Sequence, residues 1–141
     1  MEVMEEYIRI LKAQNYLALA TSVEGTPNVR IVNYYPDPLQ QNILYIRTNK
    51  NKSKVKEFQL NPCISFTTII KDRYEYIRVH NARVVKCEDY QEEGIKSAFL
   101  EKDPKFIEKM GKENSPYLYA IIFEHAFLTL NPVDPALKIQ F

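Results

Sequence analysis

The sequence predicts a mainly β fold, an antiparallel Greek-key-like barrel with helices at its periphery. Three observations carry this. Strand-like runs rich in aliphatic, aromatic and β-branched residues recur along the chain, and hairpin-length polar turns join them. Helical stretches interrupt them without the regular alternation that a doubly wound sheet requires.

The elements follow in order. Met4, Tyr7, Ile8 and Leu11 recur at helical spacing within Glu2 to Gln14, with Glu2, Glu5 and Glu6 early and Lys12 late, as the helix dipole favours. Tyr16–Ser22 and Asn28–Tyr35 are expected to form a hairpin around the turn Glu24-Gly25-Thr26-Pro27. After Pro36-Asp37-Pro38 comes a third strand, Asn42–Thr48, then a short helix bearing Val55, Phe58 and Leu60 that stops at Asn61-Pro62. Cys63–Ile70 and Tyr74–Lys86 read as two more strands joined by Lys71-Asp72-Arg73. Asp89 and Glu92 form a candidate capping box for a helix reaching Leu100. Asp103-Pro104 opens a short helix carrying Phe106, Ile107 and Met110, which Gly111 ends. Tyr117–Leu130 is a long strand, bent near Glu124-His125.

Composition bounds the function. At 141 residues and 45% hydrophobic content, the chain suits one domain over residues 1–141. A domain of that size buries roughly 68% of the surface its unfolded form exposes. Lys plus Arg (19) nearly cancels Asp plus Glu (18), so no broad basic face is offered to nucleic acid or anionic lipid. Cys63 and Cys87 lack metal-ligand or redox-motif spacing and are expected to be small apolar filler. With no signal peptide or long apolar span, the expectation is a reduced, soluble, cytoplasmic protein.

The charge is concentrated locally. Arg47, Lys50, Lys52, Lys54 and Lys56 fall between the third strand and the expected short helix, with no acid among them. Lysines at that end of a helix repel its dipole unless an anion sits between them, and a phosphate resolves the conflict. Arg30 stands in the otherwise uncharged strand Val29-Arg30-Ile31-Val32, on the same face as Val32. It either lies on a wet outer face or meets an anion. Taken with the cationic loop, a shared phosphate site is favoured, Arg supplying a planar fork and Lys54 a point charge.

Other chemistries find less support. The three glycines, Gly25, Gly94 and Gly111, form no phosphate-binding glycine motif. His80 and His125 are not a metal-ligand pair by spacing, and no nucleophile triad stands out. Tyr34, Tyr35, Tyr45, Tyr74 and Tyr76 are read chiefly as packing residues, with flanking of a flat ligand as the alternative.

Several segments together resemble the pyridoxamine 5′-phosphate oxidase-related, FMN-binding split-barrel family. Leu17-Ala18-Leu19-Ala20-Thr21-Ser22, Glu24-Gly25-Thr26-Pro27 and Val29-Arg30-Ile31-Val32 are similar to its leading hairpin. Leu44-Tyr45-Ile46-Arg47-Thr48, Lys52-Ser53-Lys54-Val55 and Asn61-Pro62-Cys63-Ile64-Ser65 follow in the family's order, and Ile77-Arg78-Val79 with Ala82 resembles a further strand. The resemblance implies a split β-barrel homodimer with FMN between subunits. It places Arg30, Ile31 and Val32 along the flavin and Arg47, Thr48, Ser53 and Lys54 around its ring edge, ribityl chain and phosphate.

By the same resemblance, Arg30 and Lys54 are the phosphate cations and Thr48 is a polar contact. Ser53 stands where Arg is often found, a loss that Lys50 or Lys52 offsets. Glu75 stands at a flavin-contacting position usually held by Gln, where its charge would lower the flavin potential. The places of the substrate-phosphate clamp hold Glu93, Ser97 and Glu101, and the C-terminal Trp and Arg signature is missing. Vitamin B6 phosphate is therefore not the expected substrate.

The expectation is a flavoprotein oxidoreductase in which FMN supplies the chemistry, with no catalytic side chain and no metal. It would couple a small-molecule electron donor such as a nicotinamide cofactor to a small acceptor, nitroaromatic or quinone-like. The alternatives are a non-enzymatic flavin-binding or stress-related protein, and a split barrel that binds haem or deazaflavin.

Overall fold

A computed structural model describes residues 2–141. The helix α1 (Val3–Ala13) precedes the strands β1 (Tyr16–Val23), β2 (Thr26–Asn33), β3 (Tyr35–Pro36) and β4 (Ile43–Thr48). Next come α2 (Ser53–Leu60), β5 (Cys63–Thr68) and the long β6 (Tyr76–Cys87). The helices α3 (Glu93–Lys102) and α4 (Phe106–Lys109) lead to β7 (Tyr117–Ile122), β8 (His125–Thr129) and β9 (Leu137–Gln140).

Every ladder is antiparallel, in the order β2-β1-β5-β6-β7-β4-β3, with β8 branching from β6 and β9 from β8. The sheet curls into a half-barrel that brings β2 near β4, yet among the described residues no ladder joins these two strands. That gap is where a split barrel stays open. Its interior is filled by Leu17, Leu19, Leu44, Ile46, Ile77, Val79 and Ile121, and Tyr7, Ile10 and Leu11 of α1 close one side.

A second cluster packs α3 and α4 onto the outer face of β4 and β7. Phe99 lies between Tyr35 and Phe106, with ring centroids 4.3 and 4.6 Å away. Losing a fully buried aromatic costs about 3–5 kcal/mol, so Phe99 and Phe106, both fully buried, anchor the helical layer.

Local chemistry explains where element boundaries depart from expectation. The first hairpin turn is only Glu24-Gly25, with φ of 51° and 81°, so Thr26 and Pro27 join the strand opposite Val23 and Ser22. Two positive φ values suit the right-handed twist of a two-residue hairpin, and Pro27 is tolerated because β2 is an edge strand. The strand ends at Asn33, and Tyr35 pairs with Tyr45 of β4 instead. Asp89 and Glu92 form no capping box: Asp89 accepts the Gln91 N–H in a tight turn, and α3 starts at Glu93. Tyr117–Leu130 is two strands, both paired with β6 but with β4 and β9 as their respective second partners, parted at Phe123-Glu124, close to the expected bend. The strand β9 was not expected. No described helix is long and apolar enough to cross a membrane.

Candidate functional site

Arg30 pairs across the hairpin with Leu19, so its side chain enters the concave side of the sheet at the end covered by α2. Its Nη1 donates to Thr21 Oγ1 at 2.9 Å, and its Nη2 donates to both carboxylate oxygens of Glu57 at 2.7 and 2.9 Å. The Thr21 hydroxyl donates to Glu57 at 2.5 Å. These contacts, the Thr21 bond first and the Arg30 bond after it, hold the Glu57 carboxyl below its ordinary range against the opposing effect of burial.

Lys54 stands one helical turn before Glu57. Burial, and then the charges of Arg30 and Lys52, push its ammonium below the ordinary lysine range. Among the described residues it makes no hydrogen bond or ion pair. Lys52 occupies the N-cap of α2 without a side-chain capping bond, and the first turn carries no acid. Three cations therefore meet at an uncapped helix start, and one carboxylate offsets one of them. The arrangement suits an oxyanion.

The other expected positions divide. Ser53 opens α2 and is exposed, and Thr48 ends β4 buried, its hydroxyl only 3.5 Å from the Asn49 carbonyl. Val32 faces the interior, whereas Ile31 is 60% exposed on the outer face beside Val29. Arg47 points to the opposite face of β4 from Thr48. Its Nη1 donates to Asp103 at 2.9 Å, and its guanidinium lies over Tyr35 and Phe99. Glu75 is buried just before β6, gripped by Arg9 through two bonds of 2.9 and 2.6 Å. Arg47 and Glu75 thus stand outside the Arg30–Lys54 cluster, each held by an ion pair. A cavity of about 270 Å³ lined by Tyr7, Lys12, Asp37 and Lys102 is also separate, lying between α1, the loop after β3 and α3.

Residues 10–121 match the family model described as pyridoxamine 5′-phosphate oxidase-like. The chain belongs to that family. No curated protein matches the sequence. Solved structures show the same fold at low identity. A NimC/NimA family protein from Clostridium acetobutylicum has a TM-score of 0.70 and 18% identity, over 98% of this chain and 92% of that one. General Stress Protein 26 from Bacillus anthracis reaches 0.74 at 18% identity over 100% of both chains. A haem-binding protein from Mycobacterium smegmatis reaches 0.77 at 12% identity, covering 99% of this chain and 58% of that one. The expected split-barrel class is thereby established.

Within this pyridoxamine 5′-phosphate oxidase-like chain, several contacts were not visible in the sequence. Glu57 is the partner of Arg30, and the two become adjacent only once α2 crosses β1. The positions expected to replace the substrate-phosphate clamp lie on α3, where Ser97 donates to Glu93 at 3.2 Å and Glu101 is exposed. Tyr34 and Tyr45 are packing residues with satisfied hydroxyls, bonded to the Leu11 carbonyl and to Asp37. Cys63 is exposed, contrary to its expected role as apolar filler. His80 and His125, unrelated by spacing, have their Nε2 atoms 3.3 Å apart.

Proposed function

We propose that this chain is an FMN-binding flavoprotein that acts as an oxidoreductase, with the FMN phosphate at the cluster of Arg30, Lys54 and Lys52. The observation that carries the reading is Lys54, a partly desolvated cation with no anion of its own beside a second cation and an uncapped helix start. Such a group is stabilised by a ligand that brings negative charge. The donors fit a phosphate ester: a guanidinium, an ammonium, the first-turn N–H groups and the Ser53 hydroxyl. Thr48, at the end of β4, supplies a polar contact to the rest of the cofactor, and the Arg30-Ile31-Val32 segment lines it.

FMN supplies the redox chemistry when bound, and the protein binds, orients and screens it. A homodimer with the cofactor between subunits is consistent with Val29 and Ile31, 63% and 60% exposed on the outer face of β2. The electron donor is of the nicotinamide class and the acceptor a small nitroaromatic or quinone-like molecule. Vitamin B6 phosphate is disfavoured as substrate by Glu93 and Glu101, whose charges would repel it.

The test is a fluorescence titration with FMN and with riboflavin, which lacks the phosphate. FMN should bind at least about tenfold more tightly, since hydrogen bonds to a charged group contribute about 1.5–3 kcal/mol each. Equal affinities would remove the phosphate site.

A further inference from the structure

His80 and His125 lie on the outer face of the sheet, where β6 pairs with β8. The register pairs Arg78 with Phe127, and two residues further along each strand the two imidazoles stand side by side. A bulge in the β5–β6 ladder lies beside this pair. The β5–β6 register shifts between Ile64↔Ala82 and Phe66↔Val79, leaving His80 and Asn81 opposite Ser65 alone, with Asn81 at a φ of 59°. Val79 and Ala82 both remain inward while His80 and Asn81 both face out.

The rings are fixed before any ligand arrives. His80 stacks on Phe127 with an interplanar angle of 16°, and His125 meets the same ring edge-on. The Arg78 guanidinium sits over Phe127 at 5.1 Å. The two imidazoles are tilted by 65° to each other with their Nε2 atoms 3.3 Å apart. Two nitrogens bound tetrahedrally to one Zn²⁺ at 2.0–2.1 Å are separated by about 3.3–3.4 Å. The Nε2–Nε2 distance matches that separation.

We propose that His80 and His125 form a bidentate site for one borderline divalent transition-metal ion of the Zn²⁺ class, distinct from the anion cluster under α2. The ion replaces the hydrogen bond between the two Nε2 atoms: the ring that carries its proton on Nε2 shifts to the Nδ1–H tautomer through solvent, both Nε2 lone pairs bind the ion, and solvent completes the coordination sphere. Imidazole ligands favour Zn²⁺ and its neighbours over Mg²⁺. Among the described residues no cluster of three or more His, Cys, Asp or Glu surrounds such a site. The ion is therefore exchangeable rather than structural.

The chain contains only two histidines, so the imidazole region of its proton NMR spectrum reports this site alone. The measurement uses the untagged full chain carrying Cys63→Ser, which removes an exposed thiol that would compete for zinc. Zn²⁺ should move both sets of imidazole signals together, saturating at one ion per chain, and Mg²⁺ should leave them in place. His80→Ala and His125→Ala should each weaken Zn²⁺ binding by about tenfold or more in calorimetry, because each leaves a single ligand. His80 is exposed and His125 half-buried, so neither change opens the core. Unmoved imidazole signals, or Zn²⁺ affinity unchanged in both variants, would overturn the site.

Discussion

The Glu57 carboxylate occupies the Arg30 Nη2 donor at 2.7 and 2.9 Å, and the charges of both residues act on Lys54, one helical turn before Glu57. A carboxylate and a phosphate compete for the same fork of donors, so Glu57 tempers the affinity of the cluster while fixing where Arg30 points. Glu57→Gln should therefore tighten FMN binding by about threefold to tenfold, the worth of a partly screened ion pair. A fluorescence titration checks this. Weaker binding in the variant would mean that orienting Arg30 matters more than the competition.

Lys54→Ala and Arg30→Ala should each weaken FMN binding by about 1.5–3 kcal/mol, the range for hydrogen bonds to charged groups. Riboflavin affinity should barely change in the double variant, so the preference for FMN disappears. Unchanged FMN affinity in both single variants would place the phosphate elsewhere.

Asp103 joins Arg47 of β4 to Lys109 of α4, with both bonds at 2.9 Å. The Lys109 bond, then that from Arg47, lower its carboxyl from 3.8 to about 2. A depressed folded-state value contributes stability that is present above the unfolded value and is lost as pH falls through the folded one. That loss should fall between about pH 4 and pH 2. Asp103→Asn should remove this part of the acid sensitivity of the urea midpoint, and leave the parts due to Glu57 and Glu75, whose values are also lowered. An identical acid profile in the variant would show that the helical layer does not depend on this contact.

The two cysteines should differ sharply towards iodoacetamide. Cys63 is exposed, whereas burial, aided by Glu92 and Glu88, pushes the Cys87 thiol up to about 11. The thiolate is the reactive form. Mass spectrometry at neutral pH should find Cys63 alkylated first, with Cys87 following only on unfolding. Equal rates would mean that α3 opens readily over Cys87.

What the sequence revealed and what it hid follow from the range over which each signal acts. The amphipathic spacing of Tyr7 and Leu11, the Glu24-Gly25 turn and the strand runs are local patterns, and they located most elements of the barrel. The gathering of Arg30 and Lys54 was also legible, because the motifs bearing them resemble a known arrangement of hairpin, loop and helix. The partners that neutralise charge were not. Glu75 meets Arg9 across 66 residues and Arg47 meets Asp103 across 56, and the ring contact of His80 with His125, which neutralises nothing, spans 45. Each contact depends on register and sheet curvature, which no local periodicity encodes. The four-residue β9 was similarly hidden, since its alternation is too short to read without its partner β8.

The most direct test of FMN binding is the visible absorption spectrum of the freshly purified protein, repeated after excess FMN has been added and washed out. A flavin band equivalent to one FMN per chain should survive washing. A Soret band in its place, or no retained flavin, would contradict it and point to haem or to another cofactor on the same split barrel.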